Sequence, residues 1–404
     1  MALEILDSKT GTLREFHPAD PEIVRMYVCG PTVYADAHIG HARSYVSFDV
    51  MRRYLEFKGH RVRMVVNITD VDDVIDQKAA GRGEKPEVLA ARYEERFLED
   101  LRTLNVRPSY ANPRVSENVP SMIGIIEKLN EEGYVYEVDG NHYFRTTLPG
   151  GYGQLTHERP EDLLADEPTM EDRENPFDFL IWKKSKEGVA SWDSSLGAGR
   201  PGWHIQCYGI MRGALGDSID IHGGGEDLKF PHHESNILIS LAHMGKDAIG
   251  YHVHNGFMTL GKEKMSKSLG NFVRLRDVFE RFGGSVVRFY LLRPHYRETI
   301  DYDEDDIEKA QQDLDLILGF EGGLKEVERG GEPRGSVEEE IAHYRKRFMD
   351  SMDNDFGTPG AIRALLDFAG SEKISPDELR MTEARLALGV LNEADSILGL
   401  TGAD

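Results

Sequence analysis

The stretch Val24-Arg-Met-Tyr-Val-Cys29, followed by Gly30-Pro31 and then His38-Ile-Gly-His41, decides the architecture of this chain. Its first six residues are apolar except for Arg25 and read as a buried strand ended by a Gly-Pro breaker. A loop of small residues and histidine leads into a helix from about Gly40. Ala42, Val46, Val50 and Tyr54 recur at four-residue intervals along it and predict its buried face, with Arg52 and Arg53 on other faces. Val62 to Val66 reads as a second strand. Strand, helix and strand within about 40 residues form a βαβ unit, so a parallel α/β domain opens the chain.

Outward from this unit, residues 84–130 read as mainly helical. From about 134 to 200 the pattern breaks into short strands and loops rich in Gly, Pro and acidic residues, as an inserted subdomain would. Strand patterns return at Ser218–His222 and Tyr251–Val253. After 298 the sequence is acidic and helix-forming. Thr358-Pro359 and Ser375-Pro-Asp-Glu378 each read as a helix start, and Arg329–Gly335 as a flexible connection.

Length and composition bound the function. The 404 residues suffice for two or three domains at about 150 residues each. Lys and Arg number 48 against 71 Asp and Glu, a net charge of −23, which excludes a surface that is basic throughout. No apolar run approaches the ~18 residues of a membrane span, and Met1–Asp7 has no secretory signature. Cys29 and Cys207 are the only cysteines, too few for a disulfide framework, so a reducing cytoplasmic location is expected. Neither a membrane nor DNA is expected as a partner.

Two segments carry phosphate chemistry. His38-Ile-Gly-His41 sits where the strand unit meets its helix, and N–H groups at a helix N-terminus suit a polyphosphate. Lys264-Met-Ser-Lys-Ser268 lies in a glycine-bounded loop, where two lysines can stabilise a leaving pyrophosphate. Singly, each is an ordinary turn. Together and in this order they resemble the HIGH and KMSKS signatures of class I aminoacyl-tRNA synthetases. Cys29, Cys207 and the histidines of Pro231-His-His-Glu234 are zinc-type ligands; two Cys and one His leave one tetrahedral position for a substrate thiolate.

Over almost its whole length the chain resembles the cysteinyl-tRNA synthetase family. The matching segments are Met26–Tyr34, His38–Arg43, Asn67–Asp73, Gly199–Cys207, Asp220–Gly225, Phe230–Glu234 and Lys264–Asn271. The resemblance implies a class I Rossmann-like α/β catalytic domain over 1–297, with a parallel sheet. It also implies an inserted subdomain at about 110–200, a KMSKS and stem-contact region at about 260–297, and an α-helical bundle domain over 298–404. It implies zinc on Cys29, Cys207 and His232, and a cysteine pocket lined by Thr69, Trp203 and Asp227. His38, Gly40, His41, Gly223, Gly224, Gly225, Lys264 and Lys267 are then expected to hold ATP with Mg²⁺, with His38, His41, Lys264 and Lys267 catalytic. The expected partners are ATP, L-cysteine and tRNA(Cys).

One position departs from the family pattern. A glutamate usually follows the zinc histidine by four residues, and here that residue is Asn236. The fourth position is therefore Asn236, the neighbouring Glu234, or open to water or substrate. The chain is also expected to lack the usual C-terminal anticodon-binding module, a trait shared with tRNA-independent cysteine ligases of the mycothiol type. Residues 298–404 carry a net −16 and residues 1–297 only −7. Six arginines between Val273 and Arg297 mark the expected acceptor-stem contact.

Overall fold

The computed structural model describes residues 2–159, 162, 173–186, 188–265 and 271–402. A hairpin that the sequence pattern passes over comes first, β1 (Glu4–Asp7) with β2 (Thr12–Glu15). The expected unit follows as β3 (Ile23–Val28), α1 (Ile39–Phe57) and β4 (Arg61–Val66). Three helices come next, α2 (Asp73–Ala80), α3 (Pro86–Thr103) and α4 (Val115–Glu131). An antiparallel sheet is built from β5 (Val135–Val138), β6 (Asn141–Phe144), β7 (Phe179–Lys184) and β8 (Gly199–Pro201). The chain then returns through α5 (Trp203–Leu215), β9 (Ile219–Gly225), α6 (Glu234–Met244) and β10 (Ile249–Asn255).

The central sheet has the order β10-β9-β3-β4 and every pairing in it is parallel. Val24, Met26 and Val28 of β3 join one core, with α1, while Tyr27 and Cys29 join a second core with α4, α5 and α6. Both faces are covered, which explains the near-continuous apolar run. From β3 the chain winds to β4 on one side, and from β9 to β10 on the other. The gap between the carboxyl ends of β3 and β9 is thus the topological switch point, where parallel sheets hold ligands.

After the sheet come β11 (Met258–Leu260) and β12 (Glu263–Lys264), then α7 (Leu275–Phe282) and α8 (Gly284–Leu292). Strand β13 (Ile300–Asp301) pairs with β11, so sheet contacts run across position 297. The acidic segment folds into α9 (Glu304–Lys325), α10 (Gly335–Asp353), α11 (Thr358–Ala369) and α12 (Met381–Leu398).

Two local expectations are corrected, and the face of α1 that carries Arg53, apart from the apolar one, is covered as well: Arg53 is buried against Asp49 at 2.7 Å, because the chain's far end packs on that side of α1. Ser375 does not start a helix. Its carbonyl accepts the Glu378 and Leu379 N–H groups in a turn, and α12 begins at Met381, where Glu383 caps the Arg380 N–H. The 329–335 connection is pinned rather than free, since the same Glu383 binds the Arg334 backbone and guanidinium.

Candidate active site

Strand β3 ends in Cys29 and Gly30 at the switch point, and a cleft of about 440 Å³ opens there. Cys29, Thr32, Tyr34, His38, Gly40, His41, Gly225 and Asp227 are among its lining residues. An adjoining hollow brings in Asn255 and Phe257. His38 is the N-cap of α1; its N–H donates to His41 Nδ1 at 3.2 Å, and the two rings lie 3.8 Å apart. A Cβ at Gly40 would fall 2.9 Å from the His38 ring, and one at Gly225 would fall 2.5 Å from the Asp227 carboxylate. Of the expected glycine triplet only Gly225 reaches the cleft; Gly223 packs on Phe48 and Gly224 on Leu228. Lys264 pairs its backbone with Thr259, while Lys267 and the rest of 266–270 lie outside the described residues.

At the base of the cleft, Cys29 and Cys207 bring their sulfurs to 3.8 Å, and His232 completes a buried triad whose ligand atoms lie within 4.8 Å of one another. The Cys29 thiol leans on Cys207 and holds it well below the ordinary thiol range, with His232 helping. Burial, together with Cys207 itself, pushes Cys29 well above that range. His232 Nδ1 lies 3.0 Å from His204 Nδ1, which leaves the other ring nitrogen of His232 for a ligand. The donor chemistry suits zinc: two soft sulfurs and an imidazole whose orientation is fixed by its contact with His204.

Trp203, 45% exposed, stacks on the His232 ring at 4.6 Å. Thr69 accepts a 3.1 Å bond from Asn67 Nδ2, and Asn67 Oδ1 takes the Gly30 N–H at 2.7 Å and the Tyr27 hydroxyl at 2.9 Å. Glu234 is buried with its oxygens occupied by the N–H groups of Gln154, Leu155 and Thr156. Asn236 is buried one turn beyond His232.

Sequence reasoning missed the second layer. His233 Nε2 lies 3.2 Å from the Cys29 sulfur, His233 Nδ1 lies 2.8 Å from His254, and His254 lies 2.9 Å from Ser8 Oγ. His222 is 3.6 Å from the same sulfur. Burial holds His204, His222, His233 and His254 well below the usual histidine value, so these rings are neutral. A signal existed: seven of the fifteen histidines fall between His204 and His254.

The family description "tRNA synthetases class I (C) catalytic domain" matches residues 15–312. The cysteine–tRNA ligase of Thermococcus gammatolerans is 44% identical over 92% of this chain and 80% of its own length. This chain belongs to the cysteinyl-tRNA synthetase family. The cysteine–tRNA ligase of Carboxydothermus hydrogenoformans is 41% identical over 98% of this chain and 87% of its own. That of Brevibacillus brevis is 41% identical over 100% and 88%. The fold is shared more widely among class I enzymes. Mycobacterium tuberculosis methionyl-tRNA synthetase in complex with methionyl-adenylate superposes with a TM-score of 0.65 at 16% identity, over 93% of this chain and 89% of that one. A leucyl-tRNA synthetase of Agrobacterium radiobacter also gives 0.65, at 13% identity, over 95% and 85%. Membership of the cysteinyl family does not favour the tRNA-independent ligase alternative.

Proposed function

We propose that the chain activates L-cysteine with ATP to cysteinyl-adenylate and passes the cysteinyl group to the terminal ribose of tRNA(Cys). The observation that carries this reading is a single cleft that runs from Cys29 to His38, Gly40 and His41. An amino acid held by its sulfur at one end presents its carboxylate toward a nucleotide at the other. A carboxylate oxygen then bonds to the α-phosphorus as the bond to pyrophosphate breaks. This step needs positioning and charge stabilisation rather than a general base.

The α1 N-terminus, with His38 and His41, is suited to the phosphates. Lys264 and Lys267 are assigned to the leaving pyrophosphate, with Mg²⁺ accompanying ATP. A zinc ion held by Cys29, Cys207 and His232 supplies, when bound, a centre that takes a thiolate and matches a hydroxyl poorly. Asp227 offers a carboxylate to the substrate ammonium, Trp203 roofs the sulfur end, and Thr69 is held in place by Asn67. Buried thiols 3.8 Å apart suit a reducing cytoplasm.

For the acceptor end, Ile39 donates to the Val273 carbonyl at 3.1 Å and Leu275 to Ala37, which sets the start of 273–297 beside the nucleotide end. Arg276, Arg281, Arg288, Arg293 and Arg297 each pair with a carboxylate of this chain, so contact with RNA is assigned to the region around Val273 and Arg274 rather than to the arginine face as a whole. Replacing Cys207 by Ser is expected to abolish cysteine-dependent pyrophosphate exchange while ATP binding persists; unchanged exchange overturns the sulfur-holding role. Labelled cysteinyl-adenylate offered to total tRNA and, separately, to amino sugars is expected to charge tRNA; charging of the amine alone overturns the acceptor assignment.

A further inference from the structure

Cys29 belongs to two buried groups of metal-type donors. Besides Cys207 and His232, its sulfur faces His222 and His233, and in each group the ligand atoms lie within 4.8 Å of one another. The second group has the spacing of a coordination sphere. Bonds of about 2.3 Å to sulfur and about 2.0–2.1 Å to nitrogen, at tetrahedral angles, set sulfur and nitrogen about 3.5 Å apart. His233 Nε2 and His222 Nε2 stand 3.2 and 3.6 Å from the Cys29 sulfur, on either side of that value. His233 is aimed from behind. Its Nδ1 lies 2.8 Å from His254 Nε2, and His254 Nδ1 lies 2.9 Å from Ser8 Oγ in the turn after β1. With a proton on each Nδ1 the two rings donate in series toward Ser8, which leaves the Nε2 lone pair of His233 directed at Cys29. His222 is fully buried and poorly satisfied: Nδ1 has no hydrogen-bond partner, and the long contact to the thiol is the ring's one hydrogen bond among the described residues. A cation at Nε2 supplies the stabilisation that this ring lacks.

We propose that Cys29, His222 and His233 form a second seat for a zinc-class cation, beneath the first and joined to it through the shared Cys29 thiolate. The donor distances stand on their own; only the sharing rests on Cys29, Cys207 and His232 being a metal centre. One thiolate and two imidazoles suit a borderline-soft cation, and they cancel less of a divalent charge than two thiolates do, so this seat fills second. Once filled, it draws on the sulfur that serves the first ion. Excess metal therefore slows cysteine activation without touching the nucleotide end.

The test is zinc stoichiometry of the full chain, read by equilibrium dialysis at rising free zinc, for the wild type, His222→Phe and His232→Phe. The wild type is expected to take up a tight and then a weaker zinc ion. His222→Phe is expected to lose the weaker ion and His232→Phe the tighter one. A wild type that saturates at one ion, or a weaker ion that persists in His222→Phe, overturns the second seat. Zinc sufficient for both ions is expected to slow cysteine-dependent pyrophosphate exchange in the wild type and less so in His222→Phe; an equal fall in both overturns the inhibition. Should His222→Phe not fold, a cobalt titration of the wild type decides. The second equivalent is expected to add thiolate-to-metal charge-transfer absorption, and a second equivalent that adds none overturns the proposal. A tighter ion that survives in His232→Phe overturns the first metal centre instead, an outcome distinct from all of these.

Discussion

Asn67 connects groups that the sequence reading kept apart. It is fully buried, and its one side chain serves the Gly30 N–H, the Tyr27 hydroxyl and Thr69 Oγ1. Asn67→Ala leaves these groups short of partners and is expected to cost about 3 kcal/mol of stability, read by urea unfolding. In the folded fraction, kcat/KM for cysteine is expected to fall while KM for ATP stays within about twofold, because none of these contacts reaches His38 or His41. The clustering of Cys29, Cys207 and His232 was legible because thiol and imidazole are rare and chemically specific. Asn67 was not, because an amide takes its meaning from what surrounds it. The buried histidines His222, His233 and His254 fall between these cases: their density was visible, but which rings face Cys29 depends on parallel pairing of β9 and β10.

At the scale of elements, the βαβ unit was legible because period and breakers agree from Val24 to Val66. The turn at Ser375 was not: Glu383 outcompetes the local Ser-Pro signal from eight residues further on, by capping Arg380 and binding Arg334. A comparable tertiary contact joins α3 to α7, where Asp100 meets Arg276 at 2.8 Å. Burial raises the Asp100 carboxyl to about 6, the Arg276 charge offsetting only part of that effect. The folded state therefore holds this proton more tightly than the unfolded chain. Its contribution to stability is fully present below the unfolded value near 3.8 and is lost as pH rises through about 6. Unfolding free energy measured at pH 5, 6 and 7 is expected to fall more steeply in the wild type than in Asp100→Asn. Parallel profiles would remove Asp100 from the pH dependence.

Across the whole molecule, the acidic helices are joined to the catalytic sheet by buried ions rather than by a flexible linker. Asp49 on α1 binds Arg53 and Arg288 at 2.7 Å each, and Arg288 reaches the Leu398 carbonyl at the end of α12. Asp49→Asn leaves two buried guanidinium groups without their counter-charge. A loss of about 3–5 kcal/mol is expected, with thermal unfolding in two steps where the wild type is expected to show one. Composition alone hid this joint, because a net of −16 over 298–404 says nothing of the few buried charges that meet α1. Further along α1, Tyr54 and the adjoining Lys58 hold Asp353 at 2.7 and 2.9 Å. The same helix begins at the histidine and glycine that line the cleft. Nineteen residues make a rod of about 28 Å without an internal joint. The cleft and the acidic helices are therefore braced on one continuous element, so neither end can shift without the other.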